Sequence, residues 1–234
     1  MDTTTATLWL QNLNALVGGV FLLVSFGLVA IRQVQGCVRL FTALSVLLGL
    51  SAFLLSQIYA TWDLVVMGVV DIGTKAMLIP WLLRRALPEE VYTRREVTQV
   101  MNIPTSLLVA LGLAIIGYVF SKPLLGVSGG AGPAGVNLPI GFAGLLIGAL
   151  TASVRREAVP LFLGLLAMEN SAFLAGIGIA PEMPLIAEVS IALDVLILVF
   201  AVSILTRTVH QHIGTTEVGA LVTLTEATKD ESPS

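Results

Sequence analysis

The fold is decided by residues 155–207, RREAVPLFLGLLAMENSAFLAGIGIAPEMPLIAEVSIALDVLILVFAVSILTR. This stretch holds two apolar runs of about 20 residues, each long enough to cross the roughly 30 Å hydrocarbon core of a bilayer as a helix. Each run carries an acid near its middle, Glu169 in the first and Asp194 in the second. A charge at that depth costs roughly 2.5–3.5 kcal/mol by insertion scales, so each acid needs a compensating partner or a function. Both are therefore candidate functional residues of a membrane protein.

The composition of the whole chain also indicates a polytopic membrane protein. Hydrophobic residues make up 56% of the 234 residues and charged residues 12%, whereas soluble domains average about a quarter charged residues. The net charge is only −3, and the basic residues stand in small groups at the ends of apolar runs. Because no basic patch is present in the sequence, we exclude nucleic acid as a partner and expect the lipid bilayer.

The apolar runs predict an all-α fold with about seven transmembrane helices. The first run is predicted to be a retained span, since MDTTTATLWLQN lacks the positive charges that open a signal peptide. The seven predicted spans lie near residues 12–31, 39–59, 63–83, 104–121, 137–153, 158–180 and 184–206.

The distribution of arginine predicts the orientation of these spans. Arginines occur in alternate connectors and after the last span, whereas the opposite connectors hold acidic residues, one lysine, glycine and proline. Because Lys and Arg accumulate in cytoplasmic loops, we expect the N-terminus outside and the C-terminus in the cytoplasm. The arginines concerned are Arg32, Arg39, Arg84, Arg85, Arg94, Arg95, Arg155, Arg156 and Arg207.

An internal repeat connects the two halves of the sequence. SAFL occurs at residues 51–54 and again at 171–174. In the following span of each half, Asp71 or Asp194 precedes an arginine, Arg84 or Arg207, by thirteen residues. The sequence therefore predicts two parallel three-helix repeats joined by a linking helix.

This repeat divides the chain into four predicted parts. Residues 1–103 form the N-terminal three-helix repeat with a cytoplasmic loop, and 104–136 form the linking helix with a Gly/Pro-rich outer loop. Residues 137–213 form the C-terminal three-helix repeat, and 214–234 form a polar cytoplasmic tail.

Two further acids and one lysine fall within the predicted spans. Asp71 and Lys75 are four residues apart on one helix, so they share a face and could simply neutralise each other. Glu188 lies about one turn inside the outer end of the last span, where water or lipid headgroups could solvate it. Each of the three is a candidate for an ion path, and each has this structural alternative.

Glu169 and Asp194 have no basic residue within one turn of their own helices. Their partners must therefore come from other helices, buried water or a neighbouring subunit. One interpretation is a protonated acid that hydrogen-bonds across helices. The other is a proton relay in which burial lets the acid exchange its proton near neutral pH, with Asn170 and nearby hydroxyls holding water.

The sequence offers no catalytic centre and no ligand set for a metal or cofactor. The single cysteine, Cys37, excludes an internal disulfide and an iron–sulfur cluster held by this chain alone. His210 and His212, two residues apart without further ligands, are a weak metal signal. No phosphate-binding loop, nucleophile elbow or HExxH motif occurs in the sequence.

Four stretches of the sequence resemble the hydrogenase-4 component E family, membrane subunits of group 4 nickel–iron hydrogenases and formate hydrogenlyase complexes. They are DIGTKAMLIPWLLRR (71–85), RREAVPLFLGLLAMENSAFL (155–174), EMPLIAEVSIALDVLILVFAVSIL (182–205) and HQHIGTTEVGAL (210–221). That family is similar to the three-helix K subunit of complex I and to a small membrane protein of Mrp antiporters, both of which keep acids on two adjacent helices. By position Asp194 matches one of these acids, whereas the other corresponds to Leu166, about one turn before Glu169. In the first half, Gly49 and Leu50 stand in the places of Glu169 and Asn170.

The resemblance implies a non-catalytic subunit of an oxidoreductase complex in a bacterial or archaeal plasma membrane. Its partners would be antiporter-like membrane subunits and the membrane anchor of the redox arm, and it would hold no nickel, iron–sulfur cluster or flavin. Proton or cation movement would pass through Glu169, Asp194, Asp71 and Lys75. A purely structural adapter, an Mrp-type antiporter subunit and a self-standing small transporter are the alternatives.

Overall fold

Every regular element in the described part of the chain is helical. The protein is represented by a computed structural model that describes residues 3–86, 101–127 and 132–181. The helices are α1 (Thr3–Ala30), α2 (Val34–Tyr59), α3 (Trp62–Asp71), a π-helical segment (Ile72–Leu78), α4 (Ile79–Ala86), α5 (Ile103–Val127), a 3₁₀ turn (Gly135–Asn137), α6 (Leu138–Val154) and α7 (Ala158–Ile179).

Six of these helices are long and apolar enough to cross a membrane. Helix α3, the π segment and α4 run on as one span, Trp62–Arg85, and the other five spans are α1, α2, α5, α6 and α7. The prediction of an all-helical, membrane-embedded protein is confirmed, and these six spans coincide with the first six apolar runs. The predicted span 184–206 lies outside the described residues.

Helices α6 and α7 approach each other closely because glycines on α6 face α7. A Cβ atom added at Gly141 would lie 2.5 Å from the backbone nitrogen of Ala175, and one at Gly148 would lie 2.6 Å from that of Met168. Glycine permits this backbone contact, which supplies van der Waals packing where lipid gives no hydrophobic driving force between helices.

Helix α2 packs against α1, α3, the π segment and α7. Its contact with α3 depends on Gly49 and Gly68, since a Cβ at Gly68 would lie 3.0 Å from the Gly49 carbonyl oxygen. A Cβ at Gly49 would lie 2.6 Å from Cδ1 of Ile72. The position that matches Glu169 in the first half of the sequence therefore has no room for an acid.

Arg155 joins the ends of α1 and α6. Its side chain is 3% exposed, and Nη2 donates to the carbonyl oxygens of Leu28 at 2.9 Å and Ile31 at 2.6 Å. These contacts satisfy carbonyls that the last turn of α1 leaves without helical partners. Burial lowers the pKa of this guanidinium from its ordinary value. Arg155, predicted as a residue of a polar connector, is thus a buried cap.

A second polar contact joins α1, α2 and the start of α6. Ser51 Oγ donates to Asn14 Oδ1 at 2.7 Å, and Asn137 Nδ2 donates to the same oxygen at 3.0 Å. In the other copy of SAFL, Ser171 Oγ instead donates to Ala167 O within its own helix, at 2.7 Å. The two serines of the repeated motif therefore have different roles.

The two SAFL motifs occupy equivalent places in their helices. Leu54 stands five residues before Tyr59, the last residue of α2, and Leu174 stands five residues before Ile179, the last residue of α7. The last helix of the second predicted repeat lies outside the described residues. The parallel repeats and the division at 103, 136 and 213 therefore remain predictions.

Candidate functional site

Three ionisable side chains from two separate spans meet in the interior. Lys75 Nζ lies 2.7 Å from Asp71 Oδ1 and 3.5 Å from Glu169 Oε1. Asp71 is 0% exposed, Lys75 1% and Glu169 9%. We call Asp71, Lys75 and Glu169 the ion cluster.

The π segment determines where Lys75 stands relative to Asp71. Asp71 is the last residue of α3, and Lys75 lies within the seven residues of the π segment. The wider helix continues into α4 with the Ile79 amide donating to Thr74 O, five residues back. Such i→i+5 segments are rare and are frequent at functional sites.

Helix α7 supplies the other side of the ion cluster. The Phe173 ring centroid lies 5.2 Å from Lys75 Nζ, a cation–π distance, and Phe173 stands one turn after Glu169. The neighbouring Asn170 Nδ2 donates to Ser45 Oγ of α2 at 2.9 Å. Helix α7 is thereby tied to α2 at the level of the ion cluster.

The structure brings together four of the six predicted site residues. Asp71, Lys75 and Glu169 form the ion cluster, and Asn170 lies beside it. The expected Asp71–Lys75 pair is present, yet it is not self-contained, because Glu169 also approaches the ammonium. The expectation that a partner for Glu169 comes from another helix is confirmed. The remaining two, Asp194 and Glu188, lie outside the described residues.

Two residues near the ion cluster were missed at the sequence level. Phe173 belongs to the SAFL repeat, which drew attention only as a repeat, and Ser45 is one of several serines on α2. Phe173 could have been found from its spacing, because it shares a helix face with Glu169 four residues earlier. Nothing in the sequence distinguishes Ser45, whose role depends on the contact between α2 and α7.

The arrangement suits the exchange of a small cation in a site largely shielded from water. Lys75 and Glu169 both stand near the middle of their spans, Trp62–Arg85 and Val159–Ile179. Long polar side chains at that depth are functional candidates by default. Among residues 3–86, 101–127 and 132–181, no three His, Cys, Asp or Glu side chains are grouped as metal ligands.

The fold and the ion cluster define a membrane-embedded helical protein with charged residues in its interior. No family model matches the chain, and no solved structure matches it. The chain is similar to the uncharacterized protein Rv0085 of Mycobacterium tuberculosis. The two are 29% identical over 159 residues, which cover 68% of this chain and 71% of that protein.

Proposed function

We propose that this chain is a non-catalytic membrane subunit of a hydrogenase-type or complex I-related assembly. In this role it conducts protons or cations through the ion cluster while partner subunits carry out the redox chemistry. The observation that carries the proposal is an ammonium, Lys75, placed between carboxylates of two different spans near mid-membrane. The resemblance to the hydrogenase-4 component E family supplies the kind of assembly.

The geometry supports an exchangeable contact at Lys75. Its Nζ atom is in direct contact with Asp71 at 2.7 Å and is more loosely placed at 3.5 Å from Glu169. A lysine side chain has four methylene groups and can cover the remaining distance by rotation alone. Lys75 can therefore strengthen its contact with either acid without any movement of the helices.

The proposed assembly sits in a bacterial or archaeal plasma membrane, with the N-terminus of this chain outside and its C-terminus in the cytoplasm. Its neighbours are antiporter-like membrane subunits and the membrane anchor of the redox arm. Asp194 and Glu188 would extend the ion path beyond the described residues.

The test compares the assembled complex in sealed vesicles with its Glu169→Gln variant, measuring redox turnover and proton uptake together. Glutamine keeps the size and hydrogen-bonding capacity of glutamate but cannot carry a proton. We expect redox turnover to persist while proton uptake falls by about tenfold or more, since proton transfer through a positioned side chain contributes about 10²–10⁴-fold.

The matched control is Asp63→Asn, the same neutralisation at an exposed acid in the first turn of α3. Asp63→Asn should leave both activities unchanged. Unchanged proton uptake in Glu169→Gln would contradict the proposal.

A purely structural adapter is the second candidate function, and a specific contact favours it. Asn170 and Ser45 join α7 to α2 beside the ion cluster, as a fixed scaffold would require. An adapter tolerates Glu169→Gln but loses assembly when helix contacts are broken. The vesicle experiment therefore distinguishes the two candidates, and activity of the chain expressed alone would instead indicate a self-standing transporter or an Mrp-type antiporter subunit.

A further inference from the structure

The formal charges of the ion cluster do not balance. If all three side chains were ionised, Asp71 and Glu169 would contribute two negative charges and Lys75 one positive charge. None of the three is more than 9% exposed. An uncompensated charge is strongly unfavourable in a low-dielectric interior, so the ion cluster should hold one further positive charge.

The other ionisable groups on the surrounding described helices stand at helix ends, far from the ion cluster along the chain. Helices α1 and α6 carry no ionisable side chain at all. On α2, the π-containing span and α7, these groups are at or next to the first or last two turns: Cys37, Arg39, Tyr59, Asp63, Arg84, Arg85 and Glu157. None of them belongs to the level of Lys75 and Glu169.

We infer that the ion cluster is a proton-binding site that holds one proton on the Glu169 carboxyl group in its resting state, with Lys75 and Asp71 as an ion pair. The inference rests on the same site as the proposed function and specifies the ion that it takes. The distances assign the proton: Lys75 Nζ contacts Asp71 at 2.7 Å and stands 3.5 Å from Glu169. Glu169 is also the most exposed of the three, at 9%.

A sodium ion would balance the charge equally well, but the geometry disfavours it. Hard metal cations need several oxygen ligands around one point. Here one oxygen of each carboxylate lies within 3.5 Å of the Lys75 ammonium, which would repel a second cation. A proton needs no such space, because it is bound covalently to one carboxyl oxygen.

Release of the proton breaks the O–H bond of Glu169 and leaves a second carboxylate beside Lys75. The proton passes to water or to a neighbouring acid, and no electron is transferred. The ammonium then moves toward Glu169, and the Phe173 ring, 5.2 Å from Nζ, stabilises it on the α7 side. Lys75 therefore responds to the protonation state of Glu169.

The test is infrared difference spectroscopy of the purified full-length chain in lipid nanodiscs at neutral pH. The carbonyl stretch of a protonated carboxylic acid, identified by its shift in heavy water, reports the proton. Glu169→Gln should lose one such band relative to the wild type. Asp71→Asn should lose it as well, because Lys75 and Glu169 then form a neutral pair.

The variant Lys75→Met makes the opposite prediction. Removing the ammonium leaves two buried acids without a cation, so both should be protonated and the band of the ion cluster should increase about twofold. The exposed control, Asp63→Asn, should leave the band unchanged. An unchanged band in Glu169→Gln, or no gain in Lys75→Met, would overturn the inference.

Two further comparisons separate the possible failures. If Lys75→Met does not yield folded protein, the two near-isosteric variants decide the matter alone. Replacing potassium chloride by sodium chloride should not change the wild-type band, and its loss in sodium would identify a metal cation and overturn the inference. The band requires no redox partner, so a bound proton together with undisturbed transport in Glu169→Gln vesicles would refute the proposed function alone.

Discussion

At the scale of single residues, burial separates side chains that the sequence presents as equivalent. Arg155 and Arg156 are adjacent and both follow an apolar run, yet Arg155 is 3% exposed while Arg156 is exposed. The difference arises because only Arg155 meets the carbonyl groups at the end of α1. A rule based on charge in connectors treats the two alike, since it contains no information about the neighbouring helix.

This pair provides a matched test of stability. Arg155→Met should lower the free energy of unfolding by about 2–4 kcal/mol, because it removes charge-assisted hydrogen bonds and leaves buried carbonyl groups without them. Arg156→Met should change it by less than about 0.5 kcal/mol, as is usual for exposed positions. Denaturation in mixed micelles measures both values. Equal effects of the two substitutions would contradict the assignment of Arg155 as a cap.

At the scale of helices, the apolar runs were sufficient to predict the six described spans, because a bilayer imposes a length and a hydropathy on any helix that crosses it. The π segment was not predictable. Residues 72–78 contain no proline, and the same sequence is compatible with a regular α-helix. Pairing of Lys75 with Glu169 was also not predictable, since it depends on how α7 packs against the first half of the chain.

The contact between α6 and α7 leads to a prediction at the same scale. Gly141→Val should destabilise the protein by about 1–3 kcal/mol, because the new side chain would overlap the backbone of Ala175 and force the helices apart. The control is Gly112→Val on α5, where a Cβ atom meets nothing within 4 Å. Thermal unfolding of the two purified variants provides the measurement. A larger loss for Gly112→Val would exclude close α6–α7 packing.

At the scale of the whole molecule, exposed apolar surface and exposed charge occupy different parts of the chain. Helix α5 exposes large apolar side chains along its length, among them Leu108, Ile115 and Phe120, and such a surface is stable in hydrocarbon. The arginines near helix ends are exposed, except for Arg155: Arg32, Arg39, Arg84, Arg85 and Arg156. This separation suits a membrane-embedded protein whose arginines reach the headgroups.

The predicted orientation can be tested by cysteine labelling in intact cells. Cys37 is buried and should give little background with an impermeant maleimide. Asp63→Cys should react from outside, whereas Arg156→Cys should react only after permeabilisation, because arginine-rich connectors face the cytoplasm. The reverse pattern would show that the chain is inserted the other way round.

The bond between Arg155 and Leu28 joins residues 127 positions apart in the sequence. The ribosome delivers Leu28 first, and four more spans must follow before Arg155 enters the membrane. Until then, water at the bilayer surface must solvate the carbonyl groups at the end of α1. The first helix to be inserted is therefore among the last to be finished, and a nascent chain that stops before α6 leaves its own beginning incomplete.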